Sequence, residues 1–377
     1  MSQAPDRRES VSQEARNTNG IGGGVSARHA TARRVRVGEM VEVRGKAEIL
    51  ATLDERGRLD GMPFMPEMFQ YCGQPFPVYK RAHKTCDTVS GNSRGLTLED
   101  SVHLDLRCTG KAHGGCQAGC LLFWKEAWLR PVAAASSASP ASAAAPAASE
   151  APRFGPACSE QAVARAVIHR DAGSEQRFSC QATELLSFTK PLPGWDPRQY
   201  AEDYLSGNQS LGKMLQVFTY ATYVFCTRAN SDRWGSWGRW LYDRFQSLRG
   251  GLSFPRYKGK ISIGAPTPRD DLGLQPGDWV RVKSYEQILA TLNTAGTNRS
   301  MGFDAELVPY CGKVFQVRTR VETFIDEPTG KLKVMKAPAV ILEGVFCQSY
   351  YSPKRLGCPR SIYSWWREIW LERVAAS

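Results

Sequence analysis

The sequence predicts a mostly β protein with an α insertion, in which two small β-barrels flank a helical middle segment. The main observation is an internal duplication: residues 36–108 align without a gap onto residues 275–347, with 21 identities in 73 positions. Ile-Leu-Ala-Thr-Leu at 49–53 recurs at 288–292, and Tyr-Cys-Gly at 71–73 recurs at 310–312. After a three-residue insertion, Trp-Lys-Glu-Ala-Trp-Leu at 124–129 matches Trp-Arg-Glu-Ile-Trp-Leu at 366–371.

The second observation is strand patterning in both copies. Residues 39–44 and 278–283 alternate apolar and polar side chains, which is typical of a strand with one buried face. In the second copy, β-rich residues 315–321 and 340–342 lie on either side of a turn that contains Pro328 and Gly330. Several short strands separated by turns within about 100 residues predict a small barrel or sandwich.

The strand that opens each copy also carries a family resemblance. Gly-Asp-Trp-Val-Arg-Val at 277–282 resembles the first strand of SH3-like barrels, such as KOW domains and the β-subunit barrel of nitrile hydratases. The resemblance covers one strand per copy. It implies two SH3-like small β-barrels and no catalytic residue. The repeated Trp-x-Glu-x-Trp-Leu ending is similar to sequences in bacterial proteins, and no function is carried over with it.

These patterns divide the chain into five parts. Residues 1–34 are predicted to be a disordered basic tail, and residues 133–152 an Ala/Ser/Pro linker. The first segment, residues 35–132, is the first barrel repeat with a cysteine cluster, and the second segment, residues 273–374, is the second repeat. The middle segment, residues 153–262, is predicted to be helical, because Pro197 follows a possible Asp196 cap and apolar runs span 211–225 and 237–248.

Composition limits the classes of partner. The net charge of +12 favours acidic partners such as nucleic acid or an anionic membrane surface. The apolar run 211–226 contains Lys213 and Gln216 and is shorter than a membrane span requires, so no transmembrane segment is predicted. Without an apolar leader, the chain is predicted to be cytoplasmic and bacterial, and its 11 cysteines to be thiols or metal ligands.

The first segment carries a candidate metal site. Cys108, Cys116 and Cys120 lie within thirteen residues of a Gly-rich loop that also contains His113, and Cys86 lies upstream on the predicted hairpin. Thiolates and imidazole suit tetrahedral Zn²⁺, whereas four thiolates also suit an iron–sulfur cluster. We therefore expect either cofactor, with a structural role if four ligands bind.

Two alternatives to this metal site remain open. The cysteines could be small buried apolar residues, since the second copy has Ile325 and Ile362 where the first has Cys86 and Cys120. Cys108 and Cys116 align with Cys347 and Cys358, and His113 has no counterpart. If only three cysteines bind a metal, Cys180 of the middle segment could be the fourth ligand, and a redox role becomes possible.

The middle segment contains a candidate binding surface for nucleic acid or a protein partner, where basic and aromatic residues alternate. Cations neutralise phosphates while aromatic rings stack on bases, and the same composition suits peripheral contact with an anionic membrane. Alternatively, the tryptophans are buried against a barrel. The residues of this surface are Arg233, Trp234, Trp237, Arg239, Trp240 and Arg244.

The sequence therefore favours a non-enzymatic binding or scaffold protein with a structural metal site in the first repeat. No phosphate-binding loop, dinucleotide fingerprint or His-Glu-x-x-His motif points to an enzyme. The alternative is an iron–sulfur or thiol-dependent protein that acts in redox chemistry or assists an enzyme. In a third hypothesis, the repeats form a scaffold inside a larger assembly and bind no metal.

Overall fold

The first segment consists of short strands joined by tight turns. The computed structural model describes residues 34–92, 94–132, 158–170, 175–229, 235–248, 259–352 and 355–374. One helix, α1 (Lys46–Thr52), follows the first strand. The strands are β1 (Met40–Val43), β2 (Arg58–Leu59), β3 (Met62–Pro63), β4 (Pro75–Pro77), β5 (Lys80–Arg81), β6 (Lys84–Cys86), β7 (Gly95–Thr97), β8 (Ser101–His103), β9 (Trp124–Lys125) and β10 (Leu129–Pro131).

The middle segment contains strands as well as helices. Its helices are α2 (Glu160–Arg165), α3 (Arg198–Leu205), α4 (Leu211–Ala229) and α5 (Gly235–Leu248). Its strands are β11 (Ile168–Arg170), β12 (Gln176–Phe178) and β13 (Lys190–Leu192). Because β13 pairs with β7 of the first segment, the middle segment extends a sheet of that segment. The predicted helices at 211–225 and 237–248 are confirmed as α4 and α5.

The second segment has longer strands in the same order. Its helix is α6 (Tyr285–Ala290). Its strands are β14 (Trp279–Val282), β15 (Thr297–Asn298), β16 (Met301–Gly302), β17 (Val314–Arg320), β18 (Thr323–Asp326), β19 (Lys331–Val334), β20 (Ala339–Phe346), β21 (Tyr363–Arg367) and β22 (Leu371–Arg373). The expectation of a mostly β protein with few helices is confirmed.

Strand pairing follows the same register in both segments. β1 lies between β10 and β4, and β14 lies between β22 and β17. Val41 pairs with Phe76 in the first segment, and the aligned Val280 pairs with Phe315 in the second. In the second segment, β17 is one continuous strand at the centre of the five-stranded sheet β21-β20-β17-β14-β22.

The corresponding sheet of the first segment is divided into two. β4 has the sequence Pro-Phe-Pro and ends at Pro77, and β5 begins again at Lys80. Proline has no N–H to donate to a strand ladder and is confined to edge strands, and β4 is an edge strand that pairs with β1. The result is two three-stranded sheets, β10-β1-β4 and β5-β8-β9.

Each segment has its own aromatic core. In the first, Phe64 packs edge-on against Trp124 and Trp128, with ring centroids 6.3 and 5.1 Å away. In the second, Phe303 packs in the same way against Trp366 and Trp370, at 6.4 and 5.5 Å. All four indoles are fully buried. Large buried aromatic side chains contribute much of the burial free energy of such small cores.

The glutamate inside each Trp-x-Glu motif is paired, as expected for a structural residue. Glu126 accepts a hydrogen bond from Arg81, and Glu368 accepts one from Arg320 at 2.8 Å. The two arginines hold the glutamates in the same way in both segments. The described residues from Val35 onward belong to one compact unit, so the middle and second segments pack with the first.

Candidate functional site

The candidate site is built on the Gly-rich loop between β8 and β9. The base of the loop is closed by a hydrogen bond from Cys108 N to Cys120 O at 2.8 Å. Within it, Gly110 has a φ of 69°, and a Cβ atom there would lie 1.9 Å from Cys116 O. Only glycine fits such a turn, because it lacks a Cβ atom. The loop therefore folds back tightly and brings His113 under Cys108.

Three side chains from separate places meet beneath this loop. Cys108 Sγ donates a hydrogen bond to Glu67 Oε1 at 3.0 Å, and His113 Nδ1 lies 3.3 Å from the same oxygen. Glu67 belongs to a 3₁₀ helix, Pro66–Tyr71, that follows β3. The ligand atoms of Glu67, Cys108 and His113 all lie within 4.8 Å of one another. We call this group the Glu-Cys-His cluster.

The cluster leaves one buried carboxylate oxygen without a partner. Within the described residues, Glu67 Oε2 makes no hydrogen bond, and His113 Nδ1 makes only the 3.3 Å contact with Glu67 Oε1. His113 Nε2 lies 3.2 Å from Ser179 O of the middle segment, which fixes the ring. Burial opposes ionisation of Glu67, but the interactions with His113 and Cys108 lower the pKa of its carboxyl group. A buried carboxylate with a free oxygen, beside an imidazole and a thiol, can bind a cation.

The predicted cysteine ligands are distributed differently from the expectation. Cys108 and His113 join the cluster, and they also line a cavity of about 30 Å³ together with Cys116, Cys120 and Cys180. Burial raises the pKa of the Cys108 and Cys120 thiols, so both are protonated in the absence of a cation. Among the described residues, the Glu-Cys-His cluster is the group whose ligand atoms are close enough to share a metal ion.

Cys86 lies away from the cluster, at the contact between the two segments. Its thiol interacts with the thiol of Cys358, which precedes β21. Both residues are buried, with exposed fractions of 3%. The structure therefore places Cys86, one of the predicted metal ligands, near Cys358 of the other repeat.

Sequence reasoning missed Glu67 as a member of the candidate site. The alignment contained a usable signal, since Glu67 matches Glu306 in the repeated block. A buried acidic residue that recurs in both copies is unusual for a core position. The side chain of Glu67 is 5% exposed and Glu306 is also buried, but among the described residues no histidine contacts Glu306.

The basic aromatic surface is described in part. Arg233 and Trp234 lie outside the described residues, and for Arg239 the structure describes the backbone within α5. Trp237 and Trp240 have exposed fractions of 56% and 60%, and Arg244 is also exposed. These two indoles are therefore not buried against a barrel. Instead, α5 packs against α4.

Within the described residues, no helix is long and apolar enough to cross a membrane. Comparison of the chain with protein-family models, with curated proteins and with solved structures found no match.

Proposed function

We propose that this protein is a non-enzymatic binding protein whose first segment holds a structural Zn²⁺ ion through Glu67, Cys108 and His113. The observation that carries the proposal is the Glu-Cys-His cluster, whose ligand atoms lie within 4.8 Å of one another. Thiolate, imidazole and carboxylate are the three protein ligands that Zn²⁺ prefers. Binding of the ion would displace the thiol proton that Cys108 shares with Glu67 and would give Glu67 Oε2 and His113 Nδ1 a partner with a positive charge.

The composition of the cluster favours zinc over an iron–sulfur cluster. Iron–sulfur clusters are held mainly by thiolates, and here one thiol stands with a carboxylate and an imidazole. The adjoining cavity of about 30 Å³ has room for a water molecule or for a neighbouring thiol as a fourth ligand. Since a cavity of this size does not admit a substrate, a structural role is the better proposal.

Zinc at this position would connect three parts of the fold. Glu67 belongs to the 3₁₀ helix after β3, Cys108 and His113 belong to the Gly-rich loop, and Ser179 of the middle segment orients the imidazole. One ion would therefore fix the loop against the helix. A carbonyl that orients a ligating histidine is a common second partner in zinc sites.

We also propose that both segments are SH3-like barrels that arose by duplication. The support is that aligned residues make the same strand pairs, such as Val43 with Leu129 and Val282 with Leu371. The indoles agree as well: Trp128 donates to Thr52 at 3.1 Å, and the aligned Trp370 donates to Thr291 at 2.9 Å. On this proposal, the metal site was added to the first of two copies of the same barrel.

Elemental analysis of the purified full-length chain tests the zinc proposal. We expect one zinc ion per chain in the wild type. The zinc content should be at least tenfold lower in Cys108→Ser and in Glu67→Gln. The matched control is Cys347→Ser, which removes the aligned cysteine of the second segment and should retain the ion. Zinc that persists in Cys108→Ser, or a metal-free wild type, would overturn the proposal, and iron with acid-labile sulfide would favour the redox alternative.

Nucleic-acid binding through α5 is a second candidate function, supported by the exposure of Trp237 and Trp240. Exposed indoles on a helix rich in arginine can stack on unpaired bases while the guanidinium groups bind phosphates. The net charge of +12 favours such a partner. An acidic protein and an anionic membrane surface are the alternatives that the same surface allows.

Fluorescence anisotropy with a labelled single-stranded oligonucleotide tests this second function. We expect affinity to fall as salt rises, and Trp240→Ala to weaken binding about tenfold, in line with the stacking free energy of one base of about 1–3 kcal/mol. Trp195→Ala is the matched control, because Trp195 is 83% exposed and lies outside α5. Salt-independent binding, or equal effects of the two substitutions, would contradict the assignment, and binding only to anionic vesicles would point to a membrane.

A further inference from the structure

A buried arginine of the second segment is held by uncharged acceptors. Arg367 ends β21 and is 6% exposed. Its guanidinium donates to the carbonyl oxygens of Asn298, Arg299 and Ala337 at 3.4, 2.8 and 2.6 Å, and to Met335 Sδ at 3.4 Å. Within the described residues, no carboxylate forms an ion pair with it. Carbonyl oxygens satisfy hydrogen bonds, but they carry no full negative charge to offset that of a buried cation.

A second arginine adds to this positive charge. Arg299 is exposed and lies in the turn between β15 and β16, next to the guanidinium of Arg367. Burial, together with the charge of Arg299, lowers the pKa of Arg367 to about 10. The guanidinium is therefore still protonated at neutral pH. In the part of the chain that the structure describes, Arg299 has no acidic partner either.

The first segment has an acidic residue at the aligned position. Lys125 aligns with Arg367, and Asp60 aligns with Arg299. Lys125 Nζ donates to Asp60 Oδ2 at 2.9 Å, although the side chain of Lys125 is 9% exposed and that of Asp60 is 70% exposed. A carboxylate on the solvent side of this turn thus reaches the buried cation. The same approach to Arg367 is available to an anion from solution.

The backbone of the turn favours aspartate over arginine. Asp60 has a φ of 51° and Arg299 a φ of 43°, so both residues are in the left-handed region. Aspartate adopts this conformation more readily than arginine, because its short polar side chain can form a local hydrogen bond. The arginine therefore has a conformational cost, and such a cost is typical of residues whose side chains serve a function.

We propose that Arg299 and Arg367 form a binding site for an oxyanion, either a phosphate group or a carboxylate group. Guanidinium groups present N–H donors in a planar fork that matches two oxygens of such an anion. Nη2 of Arg367 uses one N–H on Arg299 O, which leaves its second N–H for the anion. The anion would occupy the place that the Asp60 carboxylate has in the first segment. Because the site lies in the second segment, the proposal does not depend on zinc.

Urea unfolding of the full-length chain in sodium phosphate and in sodium chloride of equal ionic strength tests the proposal. We expect phosphate to raise the urea midpoint of the wild type until the site is saturated, since a ligand of the folded state stabilises it. Arg299→Asp gives the second segment the acid of the first. Its affinity for phosphate should be at least tenfold lower, and in chloride it should be more stable than the wild type.

Two further variants separate the anion site from general effects of charge and of the turn. Lys313→Asp makes the same change of charge at an exposed lysine before β17 and should respond to phosphate as the wild type does. Arg299→Asn suits the turn as well as aspartate does but has no charge, so it should be less stable in chloride than Arg299→Asp.

Acetate in place of phosphate distinguishes the two kinds of anion. A saturable rise in the urea midpoint with acetate would show that the site accepts carboxylate groups, and a rise with phosphate alone would assign it to phosphate. No saturable rise with either anion in the wild type, or equal rises in the wild type, Arg299→Asp and Lys313→Asp, would overturn the proposal. Lower stability of Arg299→Asp than of the wild type in chloride would also contradict it.

Discussion

Glu306 is a buried carboxyl group in the second segment, at the position aligned with Glu67. Its Oε1 accepts a hydrogen bond from Tyr351 N at 2.7 Å, and within the described residues its Oε2 has no partner. Burial, together with the charge of Asp304, raises the pKa of Glu306 from 4.5 to about 7. Unlike Glu67, it has no imidazole in contact with it within the part of the chain that the structure describes, so the folded state favours the protonated form.

This shift predicts a loss of stability as the pH rises. The folded state retains a proton that the unfolded state releases near pH 4.5, so the folded state is favoured at low pH and the advantage is lost as the pH passes about 7. Between pH 4.5 and about 7, the free energy of unfolding is expected to fall by on the order of 3 kcal/mol. Glu306→Gln should remove this pH dependence and be more stable than the wild type at pH 8, as measured by urea unfolding at pH 5 and pH 8.

A matched control separates this effect from other titrations. Glu343 is an exposed glutamate of β20 that pairs with Arg318 at 3.0 Å. Glu343→Gln should keep the wild-type dependence on pH. If Glu306→Gln and the wild type lose the same stability between pH 5 and pH 8, Glu306 is ionised at little cost and the assignment fails.

At the scale of elements, alternation of side chains was enough to predict the first strand of each copy. β1 and β14 are found at Met40–Val43 and Trp279–Val282, within the predicted residues 39–44 and 278–283. The Asp196-Pro197 pattern likewise predicts α3, but Pro197 rather than Asp196 is its N-cap. Asp196 lies one residue earlier and accepts a hydrogen bond from Arg198 N at 3.0 Å. These features depend on neighbours in sequence, which is why a single sequence reveals them.

Elements that depend on distant partners were harder to predict. The turn at Pro328 and Gly330 separates β18 from β19, whereas sequence reasoning placed it between the strands that are now β17 and β20. β13 has the sequence Lys-Pro-Leu and is a strand because it pairs with β7. Nothing in three such residues predicts a strand by itself, since the partner supplies the hydrogen bonds.

The sequence predicted the types of residue in the candidate site, but it did not predict which residues come together there. The Gly-rich spacing of Cys108 and His113 indicated a tight loop, and the structure has one. Cys86 was assigned to the same site because it lies on the predicted hairpin of the same repeat. In the structure it meets Cys358 of the other repeat. Glu67 belongs to the site because it lies on a 3₁₀ helix, and no periodic pattern in the sequence predicts that helix.

At the scale of the whole molecule, polar contacts join the segments. Arg107 stacks on the Tyr363 ring with 3.7 Å to its centroid and donates to Ser361 O at 3.0 Å. Thr88 donates to Glu327, and these two residues occupy aligned positions in the two copies. Contact between equivalent positions is what an approximate twofold relation between two similar segments would produce. The two large hydrophobic cores are separate, and a small apolar cluster of Val167, Phe178, Ile325 and Cys116 lies between the segments.

Lys84 joins all three segments through one buried ammonium group. Its Nζ donates to Asp203 Oδ2 of α3 at 2.5 Å and to Leu356 O of the second segment at 2.7 Å. The side chains of Lys84 and Asp203 are 4% and 2% exposed. His83 Nε2 also lies 3.3 Å from Asp203 Oδ1. Removing the lysine would leave a buried carboxylate with one weak partner, which is costly in a low-dielectric environment.

Lys84→Met is therefore expected to lower the free energy of unfolding by about 3–5 kcal/mol, and Asp203→Asn in the same chain should recover part of that loss. Lys125→Met is the matched control, since Lys125 pairs at 2.9 Å with Asp60, whose side chain is 70% exposed. Water can solvate Asp60 once its partner is gone, so that loss should stay within about 1 kcal/mol. Urea unfolding of the four proteins measures these differences. If the two lysine variants lose equal stability, the contact between segments does not depend on this buried pair.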